Sequence, residues 1–500
     1  MQQLSTLDVQ FLALESDRNY GHVGSVAILD PSTAPGGAVT VEDMRRLLSE
    51  RLHLIPPFTS RLAEVPLGLD LPFWVRDDHF DIGYHCREIA LPPPGSPAQL
   101  AEQVARIYSR RLDRSRPLWE LYLIHGLAQG RVALLTKVHH AAVDGMSGGE
   151  ILTLLYDVTP EPRPVDPPPG DGEHESPPGG AEMLARGLVA LPRYPVTVAS
   201  RLSRLLPHID VVPSLLGMPG TPTVSRALSR ARRFVTREEE SPIIERPAIR
   251  APRGPYGAKL SPHRIFGFAS ASLSDVKRVK DHHGVKVNDV VVALVAGAVR
   301  EHLITHDQLP DGPLVTQIPV SVRTEEERGT FGNQVSIMSV PVPTHIDVPA
   351  ERLAFAHDVL SSAKDRHNAL PAKALRDVTA FIPPALHTRA ARVLAQISTV
   401  PSVRPLFNLI ISNVPGPPMD IYTGGARLEA LFPLSIIADG TGLNVTVMSY
   451  RDSVDIGITA DREQTPDVQT IADGIVRELA VLVATLPAKV RPAARRAAAR

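Results

Sequence analysis

The stretch "KVHHAAVDGMSGGE" (residues 137–150) decides how this chain is read. An apolar run, "GRVALLT" (130–136), leads into two adjacent histidines, His139 and His140. An Asp-Gly pair, Asp144 and Gly145, begins four residues after the second histidine. The run reads as a buried strand. The Asp-Gly reads as a tight turn in which glycine takes positive φ, and "SGGEILTLLYDV" (147–158) as a helix. Strand, turn and helix in this order carry side chains to a cleft. Ser147 and the two glycines after it leave room for a ligand, and a helix start there favours negative charge.

Side chains alternate along a strand, so His139 and His140 are expected to face opposite ways. One metal ion would not reach both, and helical zinc motifs instead space their histidines by four residues to share a face. No metal is expected at this pair. Two readings of the residues stay open. Both histidines are satisfied core groups beside a turn, or one is a general base. A neutral imidazole with a pKa of about 6.5 suits the removal of a hydroxyl proton. Asp144 either locks the loop, with Arg323 as a candidate partner, or acts at the site.

Composition bounds the remainder. At 500 residues the chain exceeds one ordinary core and suits two or more domains. A formal net charge of −1 gives no electrostatic case for nucleic acid. The single cysteine, Cys86, excludes an internal disulfide and a cysteine-based zinc cluster and fits a reducing compartment. The start "MQQLSTLDVQFLALESD" lacks the basic and apolar regions of a secretory leader. The longest apolar run, "DVVVALVAGAV" (289–299), falls short of the roughly 18 residues a spanning helix needs. It reads as a core helix, and a cytoplasmic protein is expected.

Four segments are expected. Residues 1–158 read as mixed α/β, with a strand at 22–30 and helices at 40–52 and 97–113. "WELYLIHGL" and "GRVALLTKVHH" form two strands joined at Ala128, Gln129 and Gly130. Residues 159–260 are a proline-rich linker and an amphipathic crossover, in which 182–218 carries Arg186, Arg193, Arg201 and Arg204. Mixed α/β resumes over 261–488, and 489–500 is a basic tail. Similar halves on either side of a linker predict a pseudo-duplicated α/β architecture.

The motif "HHAAVDG" (139–145) resembles the HHxxxDG signature of CoA-dependent acyltransferases. Its surroundings are more specific. "LSTLDVQFLALE" (4–15), "FDIGYHCREIALPPPG" (80–95), "LDRSRPLWELYLIHGL" (112–127), "VNDVVVALVAGAVR" (287–300), "PVSVR" (319–323), "SNVPGP" (412–417) and "LNVTVMSY" (443–450) resemble, in order, the bacterial wax ester synthase/diacylglycerol acyltransferase family. The likeness spans nearly the whole chain apart from the linker and tail. At 20–24, "YGHVG" departs from the family's hydrophobic pair before His-Val-Gly.

The resemblance implies two chloramphenicol-acetyltransferase-like halves with the active site in a tunnel between them. It implies His140 as general base, His139 as a supporting neighbour, and Asp144 and Gly145 as loop formers. Asn288 and Asp289 match the family's Asn-Asp motif, with Asn288 a candidate oxyanion donor. Pro117 and Trp119 belong to a Pro-Leu-Trp motif that is structural or lies near the acceptor. The implied partners are acyl-CoA, as a substrate with no cofactor, and diacylglycerol or a long-chain alcohol. A peripheral position at the inner membrane face or on lipid droplets follows from such apolar products. Two other functions compete: a condensation-type acyltransferase using carrier-bound acyl groups, and a non-catalytic lipid-binding protein. The second histidine pair, "DHHG" (281–284), lacks the Asp-Gly continuation and reads as a helix end.

Overall fold

The computed structural model describes residues 2–143, 152, 154–167, 179–190, 251–321, 335–368 and 405–487. The first half supplies β1 (Gln2–Gln3), β2 (His22–Asp30), β3 (Ser60–Ala63), β4 (Phe73–Arg76), β5 (Cys86–Ala90), β6 (Trp119–His125) and β7 (Val132–His139). The second supplies β8 (Arg264–Ser272), β9 (Leu314–Ser321), β10 (Val335–Val342), β11 (Leu409–Pro415), β12 (Tyr422–Thr423), β13 (Ala426–Leu434), β14 (Leu443–Tyr450) and β15 (Ser453–Asp461). The helices are α1 (Thr6–Leu14), α2 (Val41–Arg51), α3 (Ile82–His85), α4 (Pro97–Tyr108), α5 (His140–Val143), α6 (Gly180–Ala190), α7 (Leu273–His283), α8 (Val287–Thr305), α9 (Pro349–Asn368) and α10 (Gln469–Ala484). The α/β reading holds.

Two six-stranded sheets organise the chain, in the orders β12-β13-β2-β7-β6-β5 and β10-β9-β11-β14-β15-β8. Strand β7 is buried along its whole length, because it pairs antiparallel with both β2 and β6 and has covered faces on both sides. Helix α8 is apolar on nearly all sides and buried from Asp289 through Val299. It is the core helix its composition predicts. Among the described residues, no helix is long and apolar enough to cross a membrane.

The sheets do not divide where the sequence divides. Strand β13, which lies in the second half and is not set apart by the sequence pattern, pairs antiparallel with β2 in the first-half sheet. A bulge between Leu428 and Ala430 lets it follow its partner. The backbone amide of Leu431 on β13 donates to the Asp455 carboxylate on β15 at 2.8 Å, which ties one sheet to the other.

Helix α4 is also shorter than the pattern predicts and ends at Tyr108. The Ser109 hydroxyl donates to the Ala105 carbonyl at 2.7 Å and accepts the Arg264 amide at 2.8 Å, so the helix end becomes part of the junction between halves. Nearby, Tyr20 donates its hydroxyl hydrogen to the Pro262 carbonyl at 2.9 Å, and the buried Arg264 guanidinium lies over the Tyr20 ring.

Candidate active site

His139 is the last residue of β7 and His140 the first of α5. The sheet still holds the second histidine, since its amide donates to the Gly21 carbonyl at 2.7 Å. The change from strand to helix at this point gives the two imidazoles different surroundings.

His139 is 1% exposed, and each of its ring nitrogens faces a neighbour. Its Nδ1 accepts the Ala141 amide at 3.0 Å. The hydrogen of the neutral ring therefore sits on Nε2, which approaches Glu15 Oε1 at 3.3 Å without the alignment of a full hydrogen bond. Glu15 follows α1 and is itself anchored. It accepts the Gly21 amide at 3.0 Å and the Arg114 guanidinium at 2.8 and 3.1 Å. Burial alone would raise the Glu15 carboxyl. The contacts with His139, Gly21 and Arg114 outweigh it and hold the pKa at about 2. Glu15 is an ionised, buried anchor for His139. Sequence reasoning passed it over, because nothing local marks a glutamate at a helix end as the partner of a distant histidine.

His140 has a different setting. Its ring stacks on Phe11 of α1, with centroids 3.9 Å apart and planes 18° from parallel. Its Nδ1 is enclosed and has no hydrogen-bond partner among the described residues. Burial lowers its pKa to about 4, the adjacent His139 imidazole adds to that, and a backbone hydrogen bond opposes it. The ring is neutral at physiological pH, as a proton acceptor must be.

Lys137 projects from the same strand two residues before His139 and is fully buried. It donates to the Ile107 carbonyl at 3.2 Å and to the Arg110 carbonyl, and faces Glu120 at 3.7 Å. Two hydrogen bonds hold the end of α4 to the sheet, the ion pair faces β6, and the residue belongs to the scaffold.

The other expected site residues separate. Asp144, Gly145, Ser147 and Arg323 lie outside the described residues. Asn288 is half-buried in the first turn of α8, and among the described residues no hydrogen bond joins it to either histidine. Asp289 is buried, caps the helix through the Lys286 amide at 2.9 Å and binds His357 Nδ1 at 2.7 Å. It shapes the start of α8. Pro117 lies two residues before β6, which Trp119 opens, and Trp119 packs: its indole N–H donates to the Phe58 carbonyl at 2.8 Å, and its ring stacks on His85. Trp119 also lines a narrow apolar crevice with Leu48, Phe58, Val138 and Leu154.

Cys86 is fully buried, and burial pushes its thiol up to about 12. It is no nucleophile. The second histidine pair, His282 and His283, is exposed at the end of α7, which Gly284 closes with φ 67°.

Residues 4–291 match the family model described as the wax ester synthase/diacylglycerol acyltransferase catalytic domain, and residues 331–482 match the corresponding C-terminal domain. A Mycobacterium tuberculosis H37Rv protein, provisionally assigned as a diacylglycerol O-acyltransferase, is 37% identical over 97% of this chain and 90% of its own. A second from the same strain, with the same provisional assignment, is 34% identical over 94% of this chain and 96% of its own. Among solved structures, the wax ester synthase/diacylglycerol acyltransferase from Marinobacter aquaeolei VT8 superposes with a TM-score of 0.67 at 28% identity, covering 96% of this chain and 98% of that one. The first condensation domain of the CDA synthetase shares the fold at 15% identity, with a TM-score of 0.51 and 97% of each chain covered.

Proposed function

This chain belongs to the wax ester synthase/diacylglycerol acyltransferase family and is an acyltransferase, and from that premise we propose that it esterifies diacylglycerol, and long-chain alcohols, with acyl groups taken directly from acyl-CoA. The observation that carries the mechanism is the asymmetry of the histidine pair. His139 accepts the Ala141 amide at Nδ1 and faces the Glu15 carboxylate with Nε2, whereas His140 stacks on Phe11 and keeps a neutral ring.

His140 takes the hydroxyl hydrogen of the bound acceptor as its oxygen attacks the thioester carbonyl carbon. The new C–O bond forms, the carbon becomes tetrahedral, and the C–S bond then breaks. The CoA thiolate leaves and collects the proton from His140, which returns the ring to its starting state. General-base assistance of this kind contributes about 100- to 10,000-fold. Holding both substrates together supplies the proximity that a covalent acyl-enzyme would otherwise provide, and the inert Cys86 offers no such nucleophile.

The same reading includes contact with a lipid surface. Leu188 and Val189 on α6 are 53% and 62% exposed, on a helix at the start of the basic, amphipathic stretch. Such side chains suit insertion among headgroups.

The experiment is a product analysis. Purified protein receives labelled palmitoyl-CoA with diacylglycerol, with a long-chain alcohol, or with no acceptor. Triacylglycerol or wax ester is expected, with thiol release that depends on the acceptor. Failure of both acceptors to yield ester overturns the reading.

A further inference from the structure

Three side chains away from the histidine pair converge where α8 ends and α10 begins. His302 and His306, in "HLITH" (302–306), stand four residues apart and share one face of the helix end. Asp467 lies just ahead of α10. His302 Nδ1 faces Asp467 Oδ1 at 3.8 Å, and His306 Nε2 faces Asp467 Oδ2 at 3.5 Å. One ligand atom from each residue fits within 4.8 Å of the others.

Two features separate this cluster from an ordinary ion pair. His302 Nδ1 and Asp467 Oδ1 are both enclosed, and among the described residues neither makes a hydrogen bond. Two buried polar atoms aimed at each other across a gap are costly unless something fills it. In addition, His306 Nδ1 lies 2.8 Å from the His302 carbonyl. A carbonyl only accepts, so Nδ1 carries a hydrogen, and Nε2 is the nitrogen left to face Asp467 and to bind an ion. Metal-ligating histidines are oriented by such a bond from the other ring nitrogen.

We infer that His302, His306 and Asp467 form a binding site for a divalent transition ion of the zinc class, separate from the acyl-transfer chemistry. Two imidazoles and one carboxylate select zinc, cobalt, nickel or copper over magnesium and calcium, which prefer oxygen ligands. With metal–ligand bonds of about 2.0–2.1 Å, tetrahedral ligands stand about 3.4 Å apart. The three ligand atoms lie within 4.8 Å of one another, so the side chains close by about an ångström to meet one ion. His306 and Asp467 are 35% and 36% exposed at their side chains, which leaves an ion a route in and a position for water. The bound ion ties the last turn of α8 to the segment leading into α10 and acts as a structural staple.

The full chain, stripped by chelator and dialysed, is titrated with zinc chloride by calorimetry and melted with and without zinc. About one equivalent is expected to bind and to raise Tm, because a ligand held only by the folded state stabilises it. Either His306→Ala or Asp467→Asn is expected to weaken binding roughly tenfold or more and to abolish the Tm rise. Melting in chelator shows that each variant is folded. A variant lacking the exposed pair, His282→Ala with His283→Ala, is expected to bind as wild type does, and magnesium is expected to have no effect. Wild-type protein that takes up no zinc at millimolar concentration overturns the inference. So does stoichiometric binding that survives both ligand substitutions or disappears with the exposed pair.

Discussion

Glu15 Oε1 and His139 Nε2 stand 3.3 Å apart, which joins the end of α1 to the end of β7 beneath the acyltransferase motif. The same α1 carries Phe11, on which His140 stacks. One helix therefore positions both histidines, the first by charge and the second by ring contact. Arg114, which grips Glu15 and also donates to the Leu12 carbonyl at 2.6 Å, fixes that helix from the other side.

The Glu15 carboxylate is a source of stability that depends on pH. Its folded pKa of about 2 lies below the ordinary value of 4.5. The ionised form thus adds stability that is fully present above pH 4.5 and is lost as pH falls toward 2. The displacement corresponds to on the order of 3 kcal/mol at neutral pH. Glu15→Gln is expected to melt below wild type at pH 7, and the gap should narrow as pH falls through 4 and toward 2. A gap of constant size across that range, read by calorimetry, would contradict the assignment.

Gly21 makes the approach of His139 possible. A Cβ there would lie 2.4 Å from His139 Nε2 and 3.2 Å from the Phe11 carbonyl. It would press on both the Glu15 partner and the helix beneath His140. Gly21→Ala is expected to lower kcat/KM by roughly tenfold or more, about 1.4 kcal/mol of transition-state stabilisation. Tm is expected to fall as well, because the buried His139 ring must shift, and equal activity of the two proteins in a thiol-release assay would refute the packing argument.

The junction between sheets has an equally tight point. A Cβ on Gly457 of β15 would sit 1.8 Å from the Pro433 carbonyl of β13. Backbone on backbone cannot yield cheaply, so Gly457→Ala is expected to cost about 1–3 kcal/mol through overpacking. Denaturant unfolding measures it. An unchanged midpoint would mean that β13 does not pack on β15 this closely.

Cys86 is expected to resist alkylation in the native protein and to react on unfolding, since its thiol is enclosed and its pKa stands at about 12. Thiol counting with and without denaturant checks this. Rapid native labelling accompanied by loss of activity would contradict the inert setting assigned to the thiol.

His140 should also set the acid side of the activity profile. Its ring is neutral above about pH 4, so kcat/KM is expected to stay level from neutral pH down to about pH 5 and to fall through 4. Protein stability over that range is followed in parallel to separate unfolding from titration. A limb near pH 6.5 would place the base in a solvated setting.

Local pattern made much of this molecule legible. The apolar run of β7, the Thr40 cap of α2 and the all-round apolar α8 each follow from neighbours in sequence, and each stands where the pattern predicts. Partner choice was not legible. Strand β13, "ARLEALFPL", is interrupted by Glu429 and Pro433, and nothing in it announces pairing with β2 across the chain. The site divides in the same way. Strand alternation foresaw that His139 and His140 differ, but the strand ends between them, so the difference comes from a change of secondary structure and from α1. Glu15 could be recognised only once tertiary contacts brought it to Nε2. The metal-type spacing of His302 and His306 was present in the sequence, yet its third ligand, Asp467, comes from a distant element.

The most direct test compares His140→Ala with wild type in thiol release from palmitoyl-CoA in the presence of diacylglycerol. With the fold intact by circular dichroism, kcat is expected to fall about 100- to 10,000-fold while acyl-CoA binding persists. Thiol release and triacylglycerol formation at the wild-type rate would show that His140 is not the base.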